Sequence, residues 1–275
     1  MRILFIGDIF GKPGREAVRR ALPALVDGQS IDFVIANVEN SAAGFGVTGD
    51  IADALLGYGI DVMTSGNHIW DKKEVLEYIP RQTKLLRPAN FPAGVPGRGT
   101  YMGQTRTGEP IAVLNVMGRI FMTPLDDPFA VAVREVTALR AKARIVIVDF
   151  HAEATSEKVA MGWHLDGRAT AVLGTHTHVQ TADERVLPKG TACLTDVGMT
   201  GPHDSIIGVA TDAALSRFVT GMPSRFEAAA GAARLNAVII TADPATGKAT
   251  QIERLNLSPA DIDSLAERPV AGARR

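Results

Sequence analysis

Five short apolar segments of this chain are each followed at once by side chains that commonly bind metals. They occupy residues 3–6, 33–36, 62–63, 145–148 and 171–173, and stretches with helical character separate them. This alternation predicts an α/β fold, and ligand sites in open α/β sheets form beyond the carboxyl ends of the strands. We therefore expect one shared site, built from Asp8, Glu39, Asn40, Asn67, His151, His176 and His178.

The chemistry of these seven side chains predicts a pair of metal ions. Carboxylate and amide oxygens mixed with imidazole nitrogens suit iron, manganese or zinc. Seven donors exceed what one metal takes from a protein, so two metals that share a carboxylate fit better. Only Asp8 and Glu39 are anionic. Two divalent ions would leave the site positive, which suits an anionic phosphate ester.

Each motif also has a purely structural interpretation. Gly7-Asp8 is a common turn after a strand, and Asn67 could be a turn residue after Gly66. Glu39 could form a salt bridge with Lys12 or Arg15. The pair in His176-Thr177-His178 would place two rings close together, but this spacing also occurs in structural positions.

Composition limits the class of protein. The 275 residues are 46% hydrophobic and carry a formal net charge of −1, which favours a cored domain over an extensive nucleic-acid surface. Cys193 is the only cysteine, so an internal disulfide and a thiolate metal site are excluded. We expect Cys193 to occupy a buried position on a strand. The charge at Asp8 comes too early for a signal peptide, and no apolar stretch approaches the ~20 residues of a membrane span. We expect a cytoplasmic protein, and a homo-oligomer is compatible with the sequence.

A single domain over residues 1–275 is predicted, because no repeat or linker is evident. The tail from about residue 259 is polar and ends in arginines, which is compatible with mobility. Thr48, Asp71 and Thr211 are candidate N-caps. Helices are predicted over residues 15–26, from Thr48 to the glycines at 57 and 59, and over 71–78, 127–143, about 156–163 and 211–218. The predicted hairpins pair 101–105 with 110–116 and 236–241 with 250–257.

Several motifs resemble those of the calcineurin-like metallophosphoesterases, namely Gly66-Asn67-His68, the lone His151, and Gly-Thr-His-Thr-His at residues 174–178. The runs GDIFGKPGR (7–15), ANVEN (36–40), DFHAE (149–153) and TDVGMTGP (195–202) resemble, more narrowly, the YmdB-like branch. Many superfamily members have histidine where Phe10 stands and aspartate where Glu39-Asn40 stands, and the branch shares both differences. The resemblance implies β-sheets sandwiched between helices, with a dinuclear site at the strand C-terminal ends.

The same resemblance implies roles for the site residues. Glu39 would bridge the metals, with Asp8, Asn40 and His178 completing one site. The other site would be completed by Asn67, His151 and His176. The implied cofactors are two metal ions, iron or manganese, with zinc as an alternative. The implied activity is hydrolysis of phosphodiesters, including small cyclic nucleotides such as 2′,3′-cyclic AMP, by metal-bound hydroxide with His68 as general acid.

Two other functions are weighed against this one. A zinc amidohydrolase also places histidines at strand ends, but it needs another motif order and usually a lysine carbamate, and no lysine follows a core strand here. A metal-containing regulatory protein that binds nucleotides with little turnover is the other alternative. His68 beside Asn67 favours catalysis.

Overall fold

The computed structural model describes residues 1–268, and two β-sheets form its centre. The strands are β1 (Arg2–Ile6), β2 (Asp8–Ile9), β3 (Phe33–Asn37), β4 (Val62–Thr64), β5 (Thr100–Gln104), β6 (Pro110–Met117), β7 (Ile145–His151), β8 (Ala171–Thr175), β9 (Arg185–Val186), β10 (Ala192–Leu194), β11 (Met199–Pro202), β12 (Ala233–Ala242) and β13 (Ala249–Leu257). The helices are α1 (Gly11–Gly28), α2 (Gly49–Gly57), α3 (Val75–Tyr78), α4 (Pro128–Arg140), α5 (Thr155–His164), α6 (Thr211–Thr220) and α7 (Pro259–Ala266).

Parallel strands lie at the centre of each sheet. The first sheet has the order β2-β11-β12-β1-β3-β4, with β13 on β12, and β1, β3 and β4 run parallel. The second has the order β5-β6-β7-β8-β10-β9, and β6, β7, β8 and β10 run parallel between antiparallel edges. Parallel strands need crossover connections, and helices supply several of them.

The sheets pack face to face, with helices on both outer faces. Alternate residues of a strand point to opposite sides. Thus Ile3 and Phe5 of β1 share a core with Ile147 and Leu173 of the second sheet. Outward-facing residues of the first sheet pack with α1, α2 and α7, and those of the second with α4 and α5. This αββα arrangement confirms the predicted fold class.

The predicted strands and both hairpins are confirmed, whereas several helix boundaries differ. Helix α1 begins at Gly11 and continues through Pro23, because the buried apolar side chains around that proline offset the hydrogen bond it cannot donate. Helix α3 covers only four residues, since Asp71 contacts His68 instead of capping a helix. Thr48 caps α2 as predicted, but Thr211 is already inside α6 and its side chain makes no cap.

The first part of the tail from residue 259 forms a helix, whereas mobility was expected. Helix α7 is closed at its start by a capping box of Ser258 and Asp261, and it buries Ile262 and Leu265. The prediction for the last seven positions lies outside the described residues. Over residues 1–268, no helix is both long enough and apolar enough to span a bilayer.

Candidate metal centre

The carboxyl ends of both sheets meet at one edge, and all seven predicted donors lie there. Asp8 begins β2, while Glu39, Asn40 and Asn67 follow β3 and β4. His151 ends β7, and His176 and His178 follow β8. The first sheet therefore supplies every oxygen donor, and the second sheet supplies every imidazole.

Three donor atoms surround the ring of the buried His151. Its Nε2 lies 3.0 Å from Glu39 Oε1, 3.0 Å from Asn67 Oδ1 and 3.1 Å from His176 Nδ1. A ring nitrogen carries at most one proton, so these lone pairs cannot all be satisfied by hydrogen bonds. Glu39 Oε1 is buried, and its 3.0 Å contact with His151 Nε2 lacks the geometry of a hydrogen bond, so this oxygen has no hydrogen-bond partner among the described residues. This donor set fits a divalent cation, and ligand atoms of Glu39, His151 and His176 lie within 4.8 Å of one another.

A second group of donors adjoins the first. Nδ2 of Asn40 lies 3.4 Å from Asp8 Oδ1 and 3.1 Å from Nε2 of His178. That ring nitrogen is 3.7 Å from Asp8 Oδ1. Rotating the Asn40 amide by half a turn would exchange its nitrogen for its oxygen and give three inward lone pairs. Phe10 offers no ligand and instead packs edge-on against His178, with ring centroids 5.6 Å apart.

The outer nitrogen of His151 is fixed by a buried hydrogen-bond chain. Thr175 Oγ1 donates to Asp149 Oδ1 at 2.7 Å, so its 2.9 Å contact with Nδ1 of His151 is one that the ring donates. Asp149 also accepts hydrogen bonds from Thr64 and Asn37. The chain directs Nε2 of His151 toward the other donors, which is how metal-binding histidines are usually oriented.

The other two histidines of the cluster are oriented in the same way. His176 Nε2 lies 3.1 Å from Glu153 Oε2, which leaves Nδ1 facing His151. His178 Nδ1 lies 2.8 Å from the carbonyl oxygen of Ile207, which leaves Nε2 facing Asp8 and Asn40. Each outer nitrogen thus has an acceptor, and each inner nitrogen faces the cluster.

A buried ion pair holds the loop that carries two of these histidines. His176 and His178 have φ angles of 101° and 66°, which non-glycine residues rarely adopt. Between them, Thr177 donates its backbone N–H and its hydroxyl to Asp196 Oδ2, at 3.1 and 2.7 Å. Lys158 Nζ donates to the same oxygen at 2.7 Å, and both charged groups are buried. The pair therefore anchors the strained loop to α5.

Burial and neighbouring charges lower the pKa values of some residues of the cluster and raise those of others. Burial favours the neutral form of Glu39, but the adjacent His151 outweighs it and lowers the pKa of Glu39 to about 2. Burial disfavours a charge on His151, yet Glu39 raises the pKa of this imidazole to about 9. Burial, followed by the charge of His151, lowers the pKa of His176 to about 3. Burial raises the pKa of Asp8, against the opposing effect of His178.

His68 lies at the edge of the cluster and has its own carboxylate partner. Its backbone N–H donates to Glu39 Oε2 at 3.0 Å, and its Nδ1 lies 2.8 Å from Asp71 Oδ2. A cavity of about 250 Å³ opens beside it and is also lined by His176 and His178. An imidazole held through Nδ1 keeps its Nε2 for chemistry in the cavity.

The structural interpretations considered for the sequence have mixed outcomes. Within residues 1–268 Glu39 pairs with His151, and Arg15 instead donates to the carbonyl oxygen of Ser41, so the predicted alternative of a salt bridge to Lys12 or Arg15 is wrong. Asn67 lies in a turn and also directs Oδ1 at His151. Asp8 belongs to β2 and not to a simple turn.

Sequence reasoning missed the residues that orient the donors. The orienting roles of Asp71, Thr175, Thr177 and Asp196 depend on contacts that cross the fold. Only the position of Asp71, three residues after His68, carried a local signal. Asp149 and Glu153 flank His151 in the sequence, and from position alone they could be either orienting groups or members of ordinary salt bridges. Their contacts with Thr175 and His176 favour the orienting interpretation.

Several known proteins resemble this chain over nearly its whole length. The sequence profile of a family described as YmdB-like protein matches residues 4–255. A Bacillus subtilis (strain 168) protein named 2′,3′-cyclic-nucleotide 2′-phosphodiesterase is 51% identical over 256 residues, which cover 93% of this chain and 96% of that protein. A hypothetical protein from Thermus thermophilus has a similar crystal structure, with a TM-score of 0.88, 46% identity, and 94% and 99% coverage. A Mycoplasma pneumoniae protein, described as a novel phosphatase, has a TM-score of 0.87, 33% identity, and 96% coverage of each chain.

Proposed function

This chain belongs to the YmdB-like protein family, and from that membership we propose that it is a metal-dependent phosphodiesterase of nucleoside 2′,3′-cyclic phosphates. The Bacillus subtilis relative carries that substrate class in its name. The observation that carries the metal dependence is the set of inward-facing donors around Glu39, whose buried Oε1 has no hydrogen-bond partner among the described residues. Mixed carboxylate, amide and imidazole donors suit iron, manganese or zinc.

Two cation positions are proposed. Asn67, His151 and His176 would hold one ion, because their donor atoms face one another. The other ion would be held by Asp8, Asn40 and His178. Glu39 would be shared by the two positions, a role that the resemblance to the family implies.

Two bound divalent ions would supply positive charge, which activates water and neutralises the phosphate as charge develops in the transition state. The chain's own residues position these charges. Asp149, through Thr175, and Glu153 hold two imidazoles with their lone pairs directed inward. Asp196 holds the loop between His176 and His178 through Thr177. Such outer hydrogen bonds typically change metal affinity or activity by about 10- to 100-fold.

His68 is proposed to protonate the leaving oxygen. Asp71 holds Nδ1 of His68, so Nε2 is the nitrogen that can donate a proton. In a 2′-phosphodiesterase the departing atom is the ribose O2′, and the product is a nucleoside 3′-phosphate. Positioned acid catalysis contributes about 10²–10⁴-fold to a rate. We expect His68→Ala to lose that factor while it keeps its bound metal.

The test uses purified protein that has been stripped by a chelator and reloaded separately with Mn²⁺, Fe²⁺ or Zn²⁺. Metal content is measured by elemental analysis, and hydrolysis of 2′,3′-cyclic AMP is followed by chromatography. We expect Glu39→Gln to lose both metal and turnover. Glu157→Gln is the matched control, because Glu157 is also a buried carboxylate but accepts hydrogen bonds from the backbone of Arg119 and Ile120 and not from any of the seven donors.

Three results would contradict the proposal in different ways. A His68→Ala variant with wild-type turnover would remove His68 from the mechanism. A wild-type protein that retains no transition metal would overturn the metal centre. Metal with tight nucleotide binding and no turnover would instead support the regulatory alternative.

A further inference from the structure

The cavity beside the donor cluster has two chemically different walls. The polar lining consists of four donors (Glu39, Asn40, His176 and His178) together with His68, Glu153 and Thr177, and the rest of the lining consists of apolar side chains. The apolar wall is formed by Phe10, Phe45, Ile207, Val209 and Phe226. None of these five side chains carries a hydrogen-bonding atom, so this wall can contact only an apolar or aromatic part of a ligand.

Phe45 is held at this cavity by a turn that is built around it. Gly44 and Gly46 on either side have φ angles of 96° and 78°, and the Ala42 N–H closes the turn by donating to the Gly46 carbonyl at 2.9 Å. A Cβ atom at Gly44 would lie 2.8 Å from the ring of Phe10, so a side chain there would clash. The turn keeps the Phe45 ring partly exposed, edge-on to His68 with centroids 5.1 Å apart.

Ile207 occupies the apolar wall at the cost of an unfavourable backbone conformation. Its φ angle is 48°, although it is β-branched, and its side chain is 51% exposed. A β-branched residue in the left-handed region is an outlier that often marks a functional site. Its carbonyl oxygen accepts a hydrogen bond from Nδ1 of His178 at 2.8 Å, and any residue at this position could supply that oxygen. Glycine or asparagine would adopt the positive φ angle at a lower energetic cost. The exposed apolar side chain is therefore the feature that needs an explanation.

We propose that the apolar wall is a nucleobase subsite, in which Phe45 and Ile207 contact the base of the nucleotide. This inference rests on the proposed function, because the donor wall would hold the phosphate of the same molecule in the same cavity. The base is the only aromatic part of a nucleoside cyclic phosphate, and aromatic side chains stack on every base. Because the wall has no polar side-chain atoms, it contacts base faces and not the edges that distinguish bases. All four nucleoside 2′,3′-cyclic phosphates should therefore be substrates.

The test compares a substrate with a base and one without. Metal-loaded protein is assayed with 2′,3′-cyclic AMP and with methyl riboside 2′,3′-cyclic phosphate. We expect Phe45→Ala to raise KM for 2′,3′-cyclic AMP by about 5- to 100-fold, as expected for a lost base–aromatic stack, and to leave KM for the baseless substrate unchanged. Phe45→Trp should retain the wild-type value. Phe121→Ala is the control, since Phe121 is 90% exposed and does not line this cavity.

A second variant separates binding from folding. Ile207→Asn places a residue that tolerates left-handed φ angles at this position. We expect its melting temperature to equal or exceed the wild-type value, while KM for 2′,3′-cyclic AMP rises. Calorimetric binding of adenosine 3′-phosphate to the same variants should weaken in parallel, whereas binding of methyl riboside 3-phosphate should not.

The outcomes distinguish this subsite from the proposed function. If Phe45→Ala changes both substrates equally, or changes neither, the subsite is wrong while the phosphodiesterase activity stands. If the wild-type protein hydrolyses neither substrate with any of the three metals, the proposed function fails and the subsite fails with it.

Discussion

Replacing Thr177 by valine tests how the protein holds two histidines of the donor cluster in an unfavourable backbone conformation. Valine keeps the shape of threonine but removes the hydroxyl that donates to Asp196 at 2.7 Å. The backbone N–H of residue 177 and the ammonium of Lys158 remain as donors to the same carboxylate. The substitution therefore weakens the anchor of the loop without leaving the buried charge alone.

The size of the effect follows from the kind of bond that is lost. A hydrogen bond to a charged group stabilises a protein by about 1.5–3 kcal/mol. In a domain of this size, the melting temperature should fall by about 3 to 10 °C. The left-handed conformations of His176 and His178 cost about 1–3 kcal/mol each and persist only where the surroundings impose them. A loosened Thr177 should thus lower metal affinity by about 10- to 100-fold.

Two further variants make the result interpretable. Thr177→Ser keeps the hydroxyl and should bind metal like the wild type. Thr191→Val also removes a buried hydroxyl, one that donates to the Ala169 carbonyl at 2.6 Å and lies outside the cluster. It should lower the melting temperature and leave metal affinity unchanged. Metal affinity is measured by competition with a chromogenic chelator. Wild-type affinity in Thr177→Val, with a fall in melting temperature like that of Thr191→Val, would refute the positioning role.

Three other substitutions or reagents probe separate features. Asp71→Asn should lower kcat by about 10- to 100-fold with unchanged metal content, because it loosens the ring of His68. A kcat equal to that of the wild type would contradict the orienting role of Asp71. Gly66→Ala should reduce the bound metal seen by elemental analysis, since its Cβ would lie 2.0 Å from the ring of His151; full occupancy would show that the strand end can shift. Burial raises the pKa of Cys193 from 9.0 to about 12. The reactive thiolate should therefore be about 1000-fold rarer than in the unfolded chain. Alkylation of the native protein should be slow at pH 8, and its rate should rise with pH. Fast alkylation at pH 8 would mean that β10 opens readily.

The sequence was most informative where local pattern and fold agree. Strand-end residues such as Glu39 and His151 were predictable because a short apolar run and the next polar residue specify both the strand and its edge of the sheet. The hairpin of β12 and β13 was predictable from Asp243-Pro244 and Gly247 between two apolar runs. The roles of the individual ligands, the cytoplasmic location and the oligomeric state stay predictions.

Tertiary contacts decided the features that sequence did not reveal. Asp71 looked like a helix cap, but the ring of His68 competes for its carboxylate and α3 starts later. A distortion is expected at Pro23, near the end of the helix predicted over residues 15–26, but burial of its neighbours keeps α1 continuous to Gly28. The pairing of Lys158 with Asp196 joins residues 38 positions apart, which no local pattern announces.

The division of donors between the sheets has a consequence for how metal preference could change over evolutionary time. Hard oxygen atoms come from one β-layer and borderline nitrogen atoms from the other, and only the docked sandwich brings the two kinds together. Substitutions in the loops of one layer could therefore shift selectivity between, for example, manganese and zinc without disturbing the opposite layer. The donor cluster is in this sense a two-component assembly within a single polypeptide, and substitutions can change each component separately.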